Sequence, residues 1–155
     1  IKSGVLIHTF LMMKNKFILC GTLGWCMEII FTGLGSLKNK EHSLTAHTSI
    51  WMFPIYGMAC FLTPICRILK GKNIFFRGSV YTCCIFAGEY LTGSLLKRHN
   101  ACPWDYSSSP CNVRGLIRLD YAPYWFGAGL IFEKLLTIPW KTGKKESSVS
   151  LKKAL

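Results

Sequence analysis

The sequence predicts an all-α integral membrane protein, a bundle of four transmembrane helices with both termini in the cytoplasm. Half of its 155 residues are hydrophobic and only 17% are charged. The apolar residues gather in four blocks, each close to the roughly 20 residues that a helix needs to cross the hydrocarbon core. Apolar and polar residues do not alternate within a block, and this pattern favours helices over strands.

The predicted helices together form one transmembrane domain, residues 17–138. They occupy about 17–37, 49–69, 74–96 and 116–138. A basic N-terminal extension, 1–16, and a basic flexible cytoplasmic tail, 139–155, flank this domain. Pro54 and Pro64 are expected to kink the second helix, because proline has no backbone N–H to donate.

The basic residues predict how the chain is oriented. The formal net charge is +12, and most lysines and arginines lie before the first helix, between the second and third, or in the tail. The positive-inside rule places these segments in the cytoplasm, so the loop containing Trp104 faces outward. No nucleic-acid-binding pattern accompanies the charge, and the expected partner is therefore the lipid bilayer and no nucleic acid.

Several acidic residues lie inside the apolar blocks, where a charged side chain is unfavourable. Glu28, Glu89 and Glu133 fall inside predicted spans, and Asp120 lies just within the fourth. A central carboxylate costs about 2.5–3.5 kcal/mol on translocon scales, so such acids indicate a functional site. Small residues on the same helix faces predict that Glu28 and Glu89 face a shared interior, with Arg118 and Asp120 above it. The alternative is an internal packing network.

The stretch "CPWDYS" is predicted to be a rigid lid above these acids. Trp104 and Tyr106 either roof a cavity or anchor the chain at the membrane interface. Asp105 either faces the site or caps a turn before the serine run. Tyr56 and Tyr124, which open the second and fourth helices at the same outer face, would offer hydroxyl groups to anything bound below the loop.

The eight cysteines do not predict a metal site. Six of them lie in apolar helices, where cysteine behaves as a small hydrophobic residue. Cys102 and Cys111 share the outward loop, where a disulfide is geometrically possible but not required by the spacing. The chain lacks the paired-cysteine spacing of zinc sites. We therefore expect neither a metal nor a cofactor.

Five blocks in order carry a family resemblance: "GWCMEIIFTG", "HTSIWMFPIYG", "EYLTGSLL", "CPWDYS" and "GLIRLDYAPYWFGAGLIFE". They resemble the bacterial family of ABC-transporter type IV permeases, and the same pattern is similar to the transmembrane protein 229 family. The resemblance covers about residues 17–137. It implies a multi-pass protein of the bacterial cytoplasmic membrane with a permease role. The residues of this chain that match the blocks are Trp25, Glu28, Tyr56, Gly57, Glu89, Gly93, Trp104, Asp105, Tyr106, Trp125 and Glu133.

The leading hypothesis is a small permease or transporter component. Its acids would bind a cation, a proton or a small polar solute near the midplane. The sequence contains no Walker motif, so any ATPase would be a separate subunit, and a four-span importer is expected to form a homo-oligomer. The candidate substrate-binding residues are Glu28, Glu89, Trp104, Asp105, Tyr106, Arg118, Asp120, Tyr56, Tyr124 and Glu133.

Two alternatives belong to other classes. The first is a membrane enzyme acting on a lipid or polyprenyl headgroup, with the carboxylates as acid and base and with Arg114 and Arg118 holding a phosphate. The predicted spans contain no histidine, no metal cluster and no activated nucleophile, which favours a protein that is not an enzyme. The second is a structural or regulatory membrane subunit whose acids are packing features.

Overall fold

The computed structural model describes residues 2–38, 40 and 42–138, and within them the chain is predominantly helical, as predicted. The α-helices are α1 (Lys2–Lys38), α2 (Met52–Gly57), α3 (Thr63–Ile68), α4 (Ile74–Arg98) and α5 (Ala122–Thr137). Two short strands pair as a hairpin, β1 (Asn112–Val113) and β2 (Ile117–Arg118). The predicted tail, 139–155, lies outside the described residues.

Helix α1 begins at Lys2 and is therefore longer than the predicted span 17–37. No proline interrupts it, and each further residue adds one backbone hydrogen bond. Its segment Thr9–Leu37 has a mean hydropathy of 1.7. In the part of the chain that the structure describes, this is the one helix long and apolar enough to cross a membrane.

The predicted second helix, 49–69, forms in three pieces. Helices α2 and α3 flank a 3₁₀ segment, Met58–Leu62. Pro64 stands in the first turn of α3 and cannot donate a backbone hydrogen bond. The hydroxyl of Thr63 donates to the carbonyl of Cys60 instead, at 2.6 Å. The distortion expected near Pro64 is therefore present, as a tightened 3₁₀ turn.

The fourth helix begins later than the predicted 116–138. The residues just after 115 form strand β2. The chain reverses before β2 at Arg114 and Gly115, whose φ angles of 55° and 70° lie in the left-handed region. An α-helix cannot contain that geometry, which glycine adopts readily. The apolar run therefore starts as a hairpin, because its turn residues override its helical composition.

Helix α5 starts at Ala122 and has Pro123 in its first turn, a position that requires no backbone N–H. A 3₁₀ turn, Leu119–Tyr121, links β2 to it. Asp120 lies in this turn and not inside the fourth helix, which corrects the prediction. The third predicted helix, 74–96, corresponds closely to α4.

The buried core lies at one end of the helix bundle. Cys20, Cys60 and Cys66 are at most 2% exposed and behave as the small hydrophobic residues expected. They pack with Tyr81 of α4 and Phe132 of α5 in the same cluster. That end of the bundle is closed, and the site described next lies towards the other end.

Candidate functional site

A cavity of about 640 Å³ opens at the other end of the bundle. Its walls come from α1, from α2 and the connection leading into it, from α4, from the loop before the hairpin, and from α5 with the 3₁₀ turn before it. The volume falls within the roughly 300–1,000 Å³ that is usual for small-molecule sites. Six of the predicted site residues line it: Glu28, Tyr56, Glu89, Trp104, Tyr106 and Tyr124.

Glu28 reaches this cavity from α1. One turn earlier, Gly24 leaves room for Tyr56, since a Cβ atom at Gly24 would lie 2.1 Å from the Cγ atom of Tyr56. This close approach brings Tyr56 beside the carboxyl group, with Thr48 as its second polar neighbour. The Oε2 atom of Glu28 is nevertheless buried without a hydrogen-bond partner among the described residues.

Glu89 reaches the cavity from α4, and it is close enough to Glu28 for the two charges to repel each other. Its polar neighbour is Trp125 of α5. In the described structure, both the Oε2 atom of Glu89 and the Nε1 atom of Trp125 are buried and complete no hydrogen bond of ordinary geometry. The two carboxyl groups therefore retain acceptor capacity that the protein itself does not use.

The loop forms the cavity roof with two aromatic rings. The indole N–H of Trp104 donates to the carbonyl of Leu116 at 2.9 Å, and the ring approaches Gly93 of α4. The backbone N–H of Tyr106 donates to the carbonyl of Gly115, also at 2.9 Å. These bonds join the loop to the hairpin and hold both rings on the cavity wall.

An aromatic cluster continues around the cavity mouth. The ring of Tyr121 meets those of Phe31, Tyr106 and Tyr124 edge to face, with centroids 5.4, 5.9 and 5.7 Å away. Such pairs are worth roughly 0.5–1.5 kcal/mol each beyond burial. The guanidinium of Arg118 lies 4.2 Å from the centroid of Tyr121. This places Arg118 beside the cluster but outside the cavity lining.

Asp105 and Asp120 also lie outside the lining. The Asp105 carboxylate accepts hydrogen bonds from the hydroxyl and the N–H of Ser107, at 2.6 and 3.0 Å, and these bonds lower its pKa. Of the two roles that the sequence allowed for Asp105, this geometry corresponds to the turn cap. Asp120 pairs with Arg118, whose hydrogen bonds lower the pKa of Asp120. Both acids thus have partners of their own.

Glu133 is separated from the other acids and belongs to the closed end. Its Oε2 atom lies 3.4 Å from the Nη2 atom of Arg77, and its carboxyl group neighbours Tyr81 and Cys66. The structure therefore does not bring Glu133 to the cavity.

The lining residues outside the predicted set include His47, Tyr121 and Trp125. Trp125 was among the residues that match the family blocks, and this was a usable signal. His47 arrives through backbone bonds with the Thr32 hydroxyl, at 3.1 and 3.2 Å. No local sequence pattern predicts this contact between His47 and Thr32.

The cysteines of the loop are free. The Cys102 thiol donates to the carbonyl of Trp104 at 3.2 Å, and Cys111 is exposed, so the disulfide that the spacing allowed is not formed. Within the described residues, no group of three or more histidine, cysteine or acidic side chains has the arrangement of a metal site.

A comparison with known protein families identifies the family of the chain. The family model described as "Putative ABC-transporter type IV" matches residues 15–154. The chain belongs to this family. The ABC-transporter type IV match includes most of α1 and every later helix, so the whole cavity lies within it. No solved structure matches the chain significantly. The similarity to the transmembrane protein 229 family stays a prediction.

Proposed function

We propose that the chain is a membrane-embedded permease or transporter component whose substrate site is the cavity between Glu28 and Glu89. One observation carries this proposal: two carboxyl groups from different helices line one cavity, each with a buried oxygen that has no partner among the described residues. Burying an acid is costly unless something pairs with it. A cation, proton or polar solute would be that partner, and the family description is consistent with transport.

The membrane topology is part of the proposal. We infer four crossings, made by α1, α2 with α3, α4 and α5, with both termini in the bacterial cytoplasm. At 1.5 Å per residue, α5 is only about 24 Å long, so it would need its flanking residues or a thinner bilayer. This orientation is supported by Lys16 and Arg67, which lie close together at the closed end, because the positive-inside rule favours basic residues at a cytoplasmic face.

The enzyme hypothesis receives less support from the side-chain positions. Arg114 donates to the hydroxyl of Tyr90 at 2.8 Å, and Arg118 is engaged by Asp120. Neither guanidinium lines the cavity that holds the acids. A phosphate held by these arginines would therefore not lie between Glu28 and Glu89, as acid–base chemistry on a lipid headgroup requires.

The proposal is tested by affinity purification of the full chain from native membranes in mild detergent, with mass spectrometry of the co-purifying proteins. We expect a stoichiometric ATPase subunit. We also expect the assembly in proteoliposomes to lose transport in Glu28→Gln and Glu89→Gln variants whose elution profiles are unchanged. A bare homo-oligomer would contradict the ATPase-linked role. Variants that lose assembly before activity would instead support a structural subunit.

A further inference from the structure

Aromatic side chains are a large part of the cavity wall. Six aromatic side chains other than phenylalanine line it, and they come from α2, the loop, the 3₁₀ turn and α5: Tyr56, Trp104, Tyr106, Tyr121, Tyr124 and Trp125. The faces of such rings attract cations, and tryptophan does so most strongly. The lining is therefore suited to a positively charged group.

The cavity mouth is flanked by exposed apolar side chains. Ile30 and Leu34 of α1 line the cavity and are 61% and 57% exposed, and Tyr124 of α5 is 58% exposed. A ligand with an apolar body could therefore pass between α1 and α5 without leaving an apolar environment. A small hydrated ion would gain nothing from such a route.

We propose that this cavity binds an organic cation, an amine or quaternary ammonium group on an apolar body, with its charge between Glu28 and Glu89 and its body against Trp104 and Trp125. The inference rests on the proposed function, because it assigns a substrate class to the same site. The positive charge supplies the missing partner of the carboxylates, and the rings contribute cation–π attraction.

Other ligand classes fit the same lining less well. Calcium and magnesium take about six or more oxygen ligands, mainly carboxylates, carbonyls and water, whereas the side-chain oxygens of this lining are two carboxyl groups and the hydroxyls of serine, threonine and tyrosine. An anion would face two acidic groups, and a neutral solute would leave both carboxyl groups without a counter-ion. An organic cation satisfies the acids and the rings together.

The test is isothermal titration calorimetry of the full chain in mild detergent. The probe is benzyltrimethylammonium, and the control is benzyldimethylamine N-oxide, which has nearly the same shape and no net charge at neutral pH. We expect the cation to bind and the N-oxide to bind at least about tenfold more weakly. Equal binding of the two molecules would overturn the inference, because the cavity would then be selecting shape without charge.

Variants locate the binding. Glu89→Gln is expected to weaken binding of the cation about tenfold or more, whereas Glu133→Gln, an acid at the closed end, should not change it. Trp125→Leu is expected to weaken it about fivefold, and Trp51→Leu, an exposed tryptophan outside the lining, should have no effect. If Trp125→Leu aggregates, Trp125→Phe replaces it, with an expected loss of about twofold.

The outcomes separate this inference from the proposed function. Binding of sodium or potassium that depends on Glu89, with no binding of benzyltrimethylammonium, overturns the organic-cation assignment and leaves a carboxylate transport site. Transport that survives both Glu→Gln substitutions overturns the proposed function itself, whatever the probe does. Loss of both transport and probe binding in the same variants supports the two together.

Discussion

The two ends of the bundle treat the same kind of residue in opposite ways. At the closed end, Glu133 lies 3.4 Å from Arg77, beside the buried side chains of Phe132 and Leu136. At the open end, Glu28 and Glu89 face a cavity, each with an oxygen that no described residue bonds. The charge of an acid paired within the protein is compensated by the fold, whereas an acid without a partner indicates a site for a ligand.

Glycine contacts account for the closed end. A Cβ atom at Gly78 would lie 2.2 Å from Phe126, and one at Gly129 would lie 2.5 Å from Tyr81, so α4 and α5 pack tightly there. At the open end, Trp104 of the loop and Leu116 of the hairpin approach Gly93 of α4. There the loop and the hairpin, rather than α5, cover this face of α4.

The largest effect is expected from overfilling the closed end. Gly129→Ala places a methyl group against Tyr81 and should lower the free energy of unfolding by about 1–3 kcal/mol. Gly127→Ala on the same helix meets nothing within 4 Å. It should stabilise the helix by up to about 1 kcal/mol. Denaturant titration in detergent measures both, and equal effects would contradict tight α4–α5 packing.

The next effect separates the two kinds of acid. Glu133→Gln leaves the Arg77 charge without its partner and should cost about 1–2 kcal/mol, since the pair is partly buried. Glu89→Gln replaces a buried carboxyl group whose Oε2 atom has no hydrogen-bond partner among the described residues, so stability should stay the same or rise. The same titration compares them. A larger loss in Glu89→Gln would mean that Glu89 has a structural partner.

A smaller effect distinguishes the two tryptophans of the cavity. Trp104→Phe removes the donor to the Leu116 carbonyl and should cost about 1 kcal/mol. Trp125→Phe removes an N–H that completes no such bond with a described residue, and its effect on stability should be smaller. Thermal unfolding midpoints in detergent test this order, and a reversed order would show that the roof is not held by Trp104.

The smallest effect concerns the acidity of the loop. Because its folded-state pKa is lowered, Asp105 stabilises the loop above its unfolded pKa of about 3.9, and this contribution is lost as the pH falls through the folded value. Amide hydrogen exchange of Ser107 should therefore accelerate below about pH 4. In the Asp105→Asn variant, the exchange rate of the Ser107 amide should depend less on pH, after correction for the intrinsic exchange rate at each pH. Since Asp120 titrates in both proteins, the difference isolates Asp105.

The sequence predicted only part of the candidate site. Glu28 and Glu89 could be identified from the sequence, because the free-energy cost of placing an acid in an apolar helix does not depend on knowing its partners. Glu133 met the same criterion, yet the structure pairs it with Arg77. Asp120 was misplaced because its apolar surroundings suggested a helix, whereas Gly115 and its neighbours form a turn. Hydropathy does not record such backbone reversals.

The sequence by itself determined the helical class, most of the helix positions and the break at Pro64, because apolar run length and proline chemistry act locally. Tertiary structure alone decided which acids are paired and which face the cavity. It also decided which rings surround that cavity. These contacts join α1, α4, α5 and the loop, which are distant in the chain, and they depend on how closely glycines let the helices approach.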